Sequence, residues 1–350
     1  MAAWHYVAAI AGSYLCTSLL LLRFPTILHK KKKNKIKCRH ISHRGGAGEN
    51  LENTMTAFRM SVECGTEMIE LDVQLTADKQ IVVAHDLNLT RTCGKDINIS
   101  DLNFEDLPEM SNPLAVTFSN DKYCHASNSD RKIPLLKTVF DEFPNLPINL
   151  DVKTYDEELI ELVHKMICDY DRKEITVWGN VNAKTVERLH KLDPDIPLLF
   201  SFKRCVILLL TFYTGLLPFI PLKESFLEVI MPSPILRWKK SSLTRFQRIV
   251  IRIVDSLFMN SYLFKHLERR GIQTFLWVLN EEEDFARAFD ELGVAGVMTD
   301  YPTLLKTYLD QRDKKADEKE TTQSDPLLSA GCRRRRKVEE KGCEEAVNAE

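Results

Sequence analysis

Two carboxylates, two positions apart in an otherwise apolar run, constrain this chain more than any other feature. Met68-Ile69-Glu70-Leu71-Asp72-Val73 reads as a strand, so Glu70 and Asp72 project from the same face. Like charges on one buried face repel, and the remedies are a shared proton, a basic partner or a metal ion. Carboxylate oxygens suit a hard divalent cation such as Mg2+ or Ca2+, and no thiolate lies nearby in sequence. A solvated carboxylate at a sheet edge is the plain alternative, but the flanking segments weigh against it. Arg39 to His43 is a short strand running into His43-Arg44-Gly45-Gly46, and Ile81 to Ala84 is another buried strand running into His85-Asp86. An imidazole thus stands at a strand end on either side of the acidic pair.

Beyond these strands the chain alternates. Asn53-Thr54 opens an apolar-periodic helix that stops at Gly65, and Pro134 to Phe143 reads as a helix. Ile148 to Val152 reads as a strand in which Asn149, Asp151 and Lys153 share a face, so a carboxylate and an ammonium point the same way. Helix 156–169, strand 174–178, helix 182–191 and strand 196–200 continue the pattern, and helix 261–270, strand 273–279, helix 281–291 and strand 295–299 resume it. Repeated βα units of this length predict a parallel barrel or a doubly wound sheet.

These residues also carry a resemblance. HRGGAGENLENTMTAF at 43–58, ELDVQLTADKQIVVAHD at 70–86, LTRTCG at 89–94, INLDVK at 148–153, FLWVLN at 275–280 and GVMTDYP at 296–302 follow one another as in the glycerophosphodiester phosphodiesterase family. Within it the chain is similar to the short membrane-anchored members, domain-containing proteins 1 and 3, of lysophospholipase D type. The resemblance implies an α/β TIM (β/α)8 barrel with a divalent cation, Mg2+ or Ca2+, at its C-terminal mouth, held by Glu70, Asp72 and Asp151. His43 and His85 would be acid and base, with His85 alternatively a metal ligand. Arg44 and Lys153 would meet the phosphate, and Trp277 would wall the substrate site. Asp151 stands where the family more often has Glu, one methylene longer, and Leu51 where it usually has Pro. The implied reaction releases the head-group alcohol from lysophosphatidylcholine, lysophosphatidylethanolamine and N-acyl or ether forms, leaving lysophosphatidic acid. A phosphodiesterase acting on water-soluble glycerophosphocholine is the alternative, and a non-catalytic lipid-binding membrane protein on a decayed barrel is the second.

Composition locates the chain rather than its chemistry. With 350 residues and 44% hydrophobic content it can bury one barrel-sized core, and a net charge of −2 points to no nucleic acid. Ala2 to Leu22 lacks Lys, Arg, Asp and Glu, and about twenty such residues span a bilayer core. Residues 1–28 are therefore expected to be an uncleaved transmembrane anchor, and 29–38 a basic linker. The lysines at 30–33, 35 and 37, with Arg39, favour a cytosolic catalytic domain. Endoplasmic reticulum or perinuclear membranes are the expected location, which the charge run does not itself specify. Nine cysteines without a C-x-x-C pair suit reduced thiols. The barrel is expected over 39–310. Within it an apolar insertion at about 203–260 contains the uncharged run Val206 to Leu222 and the mixed run Phe246 to Phe258. A single crossing at 206–222 would split His43, Glu70, Asp72, His85 and Asp151 from Trp277 and Asp300, so the run is expected to lie at the interface without crossing. Residues 311–350 read as a disordered charged tail. No protein partner is identifiable.

Overall fold

The structure, a computed structural model, describes residues 2–119, 122–127, 129–239 and 241–324. The chain divides into two units, 1–305 and 306–350. The first holds a parallel barrel built from β1 (His40–Ser42), β2 (Met68–Leu75), β4 (Ile148–Val152), β5 (Thr176–Gly179), β6 (Phe226–Ile230), β7 (Gln273–Trp277) and β8 (Gly296–Thr299). Strand pairing runs β5-β4-β2-β1-β8-β7-β6. Closure comes from an eighth stave reduced to two bridges: Leu198 pairs Trp178 of β5, and Leu199 pairs Phe226 of β6, both in parallel. The segment 196–200, expected as a full strand, is thus a barrel stave in position but too short in pairing to be a regular strand.

The strand β3 (Ile81–Val83) corrects the expected order, because it pairs antiparallel with β2, Val73 opposite Val83. It is the return arm of a hairpin and not a barrel stave. An apolar run of that length fixes burial but not direction.

Alternation decides which β2 residues enter the barrel. Ile69, Leu71 and Val73 pack outward against Phe58 of α2 (Met55–Glu63), Phe140 of α3 (Leu136–Glu142) and Val163 of α4 (Glu157–Asp169). Met68, Glu70 and Asp72 face inward, and Met68 joins Ile41, Phe226, Phe275 and Met298 to plug the barrel floor. With the floor filled by apolar side chains, the polar inward residues are left to the upper layer. The helices begin where capping chemistry allows. Thr54 accepts from the Ala57 amide at 3.2 Å to open α2, and Asp156 accepts from the Glu158 and Leu159 amides to open α4. The helix α5 (Ala183–Leu192) follows β5.

The apolar runs of the sequence fall on three helices. Among the described residues one stretch, Trp4–Arg23 of α1 (Ala2–Arg23), is long and apolar enough to cross a membrane, and little of it is buried. The run Val206 to Leu222, expected as an inserted segment, belongs to α6 (Phe202–Tyr213) and the turn after it. Helix α6 stands in the barrel's own order after the eighth stave, burying Cys205 and Leu208 and leaving its other side open. Between β6 and the barrel helix α8 (Ser261–Arg269) comes α7 (Arg245–Phe258), opened by a reciprocal Thr244–Gln247 capping box. Helix α1 docks on the turn after α6. Ser18 donates to the Gly215 carbonyl at 2.7 Å, and Tyr14 donates to that of Thr214. Gly215 has φ of +75° and would place a Cβ 2.7 Å from the Ser18 hydroxyl, so the close approach needs glycine. After β8 comes α9 (Pro302–Ser324), which enters the second unit and extends past Gln311, where order was expected to end. Positions 325–350, with the Arg333 to Lys337 run, lie outside the described residues.

Candidate active site

The β2–β4 register assembles the acidic cluster. Asp72 lies beside Asp151 and Glu70 beside Asn149 in parallel pairing, so four inward side chains from two strands share one layer. Glu228, from β6, adds a fourth carboxylate, accepting from Asn149 Nδ2 at 2.9 Å and 3.1 Å. Lys153 lies among them, donating from Nζ to Asp151 Oδ2 at 2.6 Å, with Asp72 Oδ1 at 2.8 Å. The Lys153 ammonium thus sits between the two aspartates and pairs with both.

Charge placement separates Asp72 from Glu70 and Glu228. Burial would push Asp72 up, but the Lys153 ammonium and the Arg44 guanidinium overcome it and hold this carboxyl well below the usual range. Glu70 goes the other way: burial raises it, the Asp72 charge raises it further, and Lys153 and Arg44 offset only part. Burial also lifts Glu228 to about 7. Neighbouring carboxylates that cannot all ionise comfortably are a set whose repulsion a divalent cation could relieve, with Glu70, Asp72 and Asp151 as the candidate ligands.

Both histidines are oriented by carboxylates. His43 Nδ1 lies 2.6 Å from Asp300 Oδ1, and Asp300 is itself fixed by Asn280 Nδ2 at 2.9 Å. Burial and the Arg44 charge lower the His43 pKa against the pull of Asp300, so the ring is neutral near pH 7 with Nε2 free of the Asp300 contact. His85 Nδ1 meets Asp86 Oδ1 at 2.5 Å. Burial would raise Asp86, but the His85 and Arg91 hydrogen bonds hold it at about 2. Arg91 then bridges Asp86 and Glu52, and Arg44 Nη1 donates to Glu52 at 3.0 Å. A continuous ionic chain therefore links His85 to Arg44.

The turn after β1 explains its glycines. Arg44, Gly45 and Gly46 have φ of 51°, 77° and 93°, a left-handed run that folds the backbone so that the Arg44 amide donates to Glu70 Oε2 at 2.9 Å. A Cβ at Gly45 would lie 2.6 Å from the Phe58 ring. Arg44 bears the strain of αL because its amide and guanidinium both serve the acidic cluster.

A cavity of about 690 Å³ opens over this layer. His43, Arg44, Glu70, His85, Asp151 and Lys153 line it, and so does Trp277 from β7. Asp72 lies beneath, fully buried. The structure thus gathers every residue singled out in the sequence at one end of the barrel. The Arg44 guanidinium, expected to meet phosphate, is turned toward Glu52 and Asp72, the latter 3.3 Å from its Nε. Three further features were missed. Glu228 is a lone acid in Phe-Leu-Glu-Val-Ile, and its kinship with the β2 pattern was the available signal. Asp300, just past β8, carries no spacing that links it to His43. Phe118, edge-on to both His43 and Trp277 at 5.6 Å and 5.8 Å, comes from an irregular loop with no signal.

Comparison with known proteins agrees with this geometry. Residues 43–304 match the glycerophosphoryl diester phosphodiesterase family. Lysophospholipase D GDPD1 of Homo sapiens is 50% identical over 87% of this chain and 96% of its own length. Lysophospholipase D GDPD3 of Homo sapiens is 39% identical over 87% and 96%. A crystal structure of a glycerophosphoryl diester phosphodiesterase from Silicibacter pomeroyi covers 83% of this chain and 98% of its own at 17% identity, with a TM-score of 0.60, and so shares the fold. Enzymes of the matched family are generally dependent on a divalent metal. With the family pattern spanning most of the chain and relatives this similar along nearly their full length, the protein belongs to the glycerophosphoryl diester phosphodiesterase family.

Proposed function

We propose that the protein is a membrane-anchored, divalent-metal-dependent lysophospholipase D. It adds water across the phosphodiester of lysophosphatidylcholine, lysophosphatidylethanolamine and their N-acyl or ether forms, yielding lysophosphatidic acid and the free head-group alcohol. The observation that carries this reading is the setting of Glu70, Asp72 and Asp151 between two carboxylate-oriented histidines, in a cavity whose outer side is apolar. Names of the similar human proteins point to the same activity.

Glu70, Asp72 and Asp151 would hold Mg2+ or Ca2+, which when bound supplies charge stabilisation at the phosphoryl oxygens and acidifies the attacking oxygen. His43, neutral and locked through Nδ1 by Asp300, accepts the proton of that attacking oxygen at Nε2. His85, oriented by Asp86, returns a proton to the departing choline or ethanolamine oxygen. Lys153 provides the positive charge that meets the phosphate, Arg44 acts on the site through its ion pairs with Glu52 and Asp72, and Trp277 and Phe118 exclude water beside His43. Ligation by His85 differs from proton transfer in a measurable way: a ligand's loss weakens metal affinity, whereas an acid's loss lowers kcat at saturating metal. Helix α1 would be the anchor, with the basic 29–39 segment and the barrel on the cytosolic side of endoplasmic reticulum or perinuclear membranes.

The test is product analysis with purified full-length protein on lysophosphatidylcholine and glycerophosphocholine, with Mg2+, Ca2+ or chelator. Choline and lysophosphatidic acid formed only with metal are the expected products. Preference for glycerophosphocholine would replace the lipid reading with the water-soluble one, and turnover that persists under chelation would overturn the metal assignment.

A further inference from the structure

The cavity has two chemically distinct sides. Its acids and imidazoles come from the barrel strands and their loops, whereas its outer wall includes Phe202 and Val206 on α6 and Val254 and Phe258 on α7. Both helices turn apolar residues outward. On α7, Phe246, Ile249, Val250, Ile253, Val254 and Leu257 are 36–74% exposed, and their spacing of three and four residues makes one stripe. On α6, Phe202, Leu210 and Tyr213 are at least half exposed.

This orientation is fixed from behind. Asp255, on the opposite face of α7, is buried, takes both terminal guanidinium nitrogens of Arg287 at 2.6 Å and 3.0 Å, and accepts from the Ser233 amide at 2.9 Å. Tyr213 of α6 donates to the Leu257 carbonyl of α7 at 2.9 Å, pinning the two helices side by side. Val254 belongs both to the exposed stripe and to the cavity wall. An apolar path therefore runs without a break from the outer surface to the acidic layer, where a phosphate would sit.

We infer that the slot between α6 and α7 is the acyl-chain subsite: one extended chain of a lysophospholipid lies along Phe202, Val206, Val254 and Phe258 and enters sideways from the apolar surface. The occupant follows from continuity. A ligand that touches both ends of this path needs a polar head where Lys153 lines the cavity and where the proposed function places a divalent cation, which together accept a phosphate, and a single apolar tail between the helices. The inference rests on the lysophospholipase D reading above. It assigns the substrate's tail to named residues, and these set chain-length preference.

Two measurements test it on the full-length protein. First, kcat/KM is measured on lysophosphatidylcholines of graded chain length for the wild type, Val206→Trp and Val254→Trp. The wild type should gain about fourfold per added methylene until the slot is filled. The tryptophan variants should lower the long-chain to short-chain ratio at least tenfold, and an unchanged ratio overturns the subsite. Second, the wild type is photolabelled with a diazirine-tailed lysophosphatidylcholine and, as control, a diacyl phosphatidylcholine bearing the same tail. The lysolipid should label Val206 and Phe258, competed by unlabelled long-chain lysolipid. The diacyl lipid should label only the outer stripe at Phe246 to Ile253. Equal labelling by both lipids, or lysolipid label elsewhere, overturns the slot. Slot labelling by a protein that releases no choline sinks the hydrolase reading and leaves the tail site standing.

Discussion

At the level of single residues, the site works by giving neighbouring acids different charge states. Glu70 and Asp72 share one face and bury completely, yet Lys153 and Arg44 favour ionisation of Asp72 and leave Glu70 to bear the repulsion. Glu70→Gln should therefore lose at least ~10²-fold in kcat through the proposed metal site, while the unfolding midpoint of the metal-free protein stays level, because Gln keeps the shape of a carboxyl that burial and the Asp72 charge already push toward its neutral form. Calorimetry beside a choline-release assay measures both, and a large fall in midpoint would contradict the account. His43 yields a signed pH prediction. The proposed role needs its base form, so activity should fall as pH falls through its pKa, which burial and Arg44 set below 6.5. The Asp300 charge raises that pKa, so Asp300→Asn should move the acid limb to still lower pH. By analogy with other oriented imidazoles the variant should also cut kcat by 10²- to ~10⁴-fold. A limb that moves upward would remove His43 as the base. Glu70, Asp72 and Asp151 were legible because period-2 alternation is local. Asp300 was not legible as a partner, since its contact with His43 closes over 257 residues and no spacing encodes it. Glu228 was passed over because one acid in an apolar run reads equally well as an edge residue.

At the level of elements, the readings that failed concern direction and facing rather than existence. Nothing in Ile81–Val83 marks it as antiparallel, and nothing in Val206 to Leu222 tells a barrel helix with one open side from an insertion. What the sequence did carry was the alternation of strands and helices that selects a parallel barrel. Asp255 ties the back of α7 to Arg287 and the Ser233 amide, so Asp255→Ala should cost roughly 2 kcal/mol and loosen the helix, because it removes charge-assisted hydrogen bonds at a partly screened site. Limited proteolysis between β6 and α8 should accelerate while the barrel persists, and an unchanged cleavage rate would show the tether to be idle. Helix α8 offers another handle. His266 Nδ1 donates to the Leu22 carbonyl at 2.9 Å, while its Nε2 is buried without a partner. Burial lowers this imidazole to about 4. Because the unfolded ring titrates near 6.5, the unfolded state binds the extra proton first. Its contribution is therefore fully present above about pH 6.5 and is lost as pH falls toward 4, by roughly 3 kcal/mol. Chemical unfolding at pH 7 and pH 4.5 should show a drop that His266→Asn removes.

For the whole molecule, attachment and catalysis separate. Full-length protein should stay with phosphatidylcholine vesicles through high-salt washing, because burial of α1 and not the lysine run dominates retention. Chelation should abolish choline release without shifting flotation, and loss of both together would mean that the metal holds the fold. The contacts of Tyr14, Ser18 and Leu22 join α1 to the barrel at three points and leave no free tether between them. On the proposed anchoring, a catalyst moored so stiffly would be unable to swing its mouth toward a neighbouring vesicle. Its working range would be the patch of bilayer in which its own helix stands, and its rate would follow the surface density of substrate there rather than the bulk concentration.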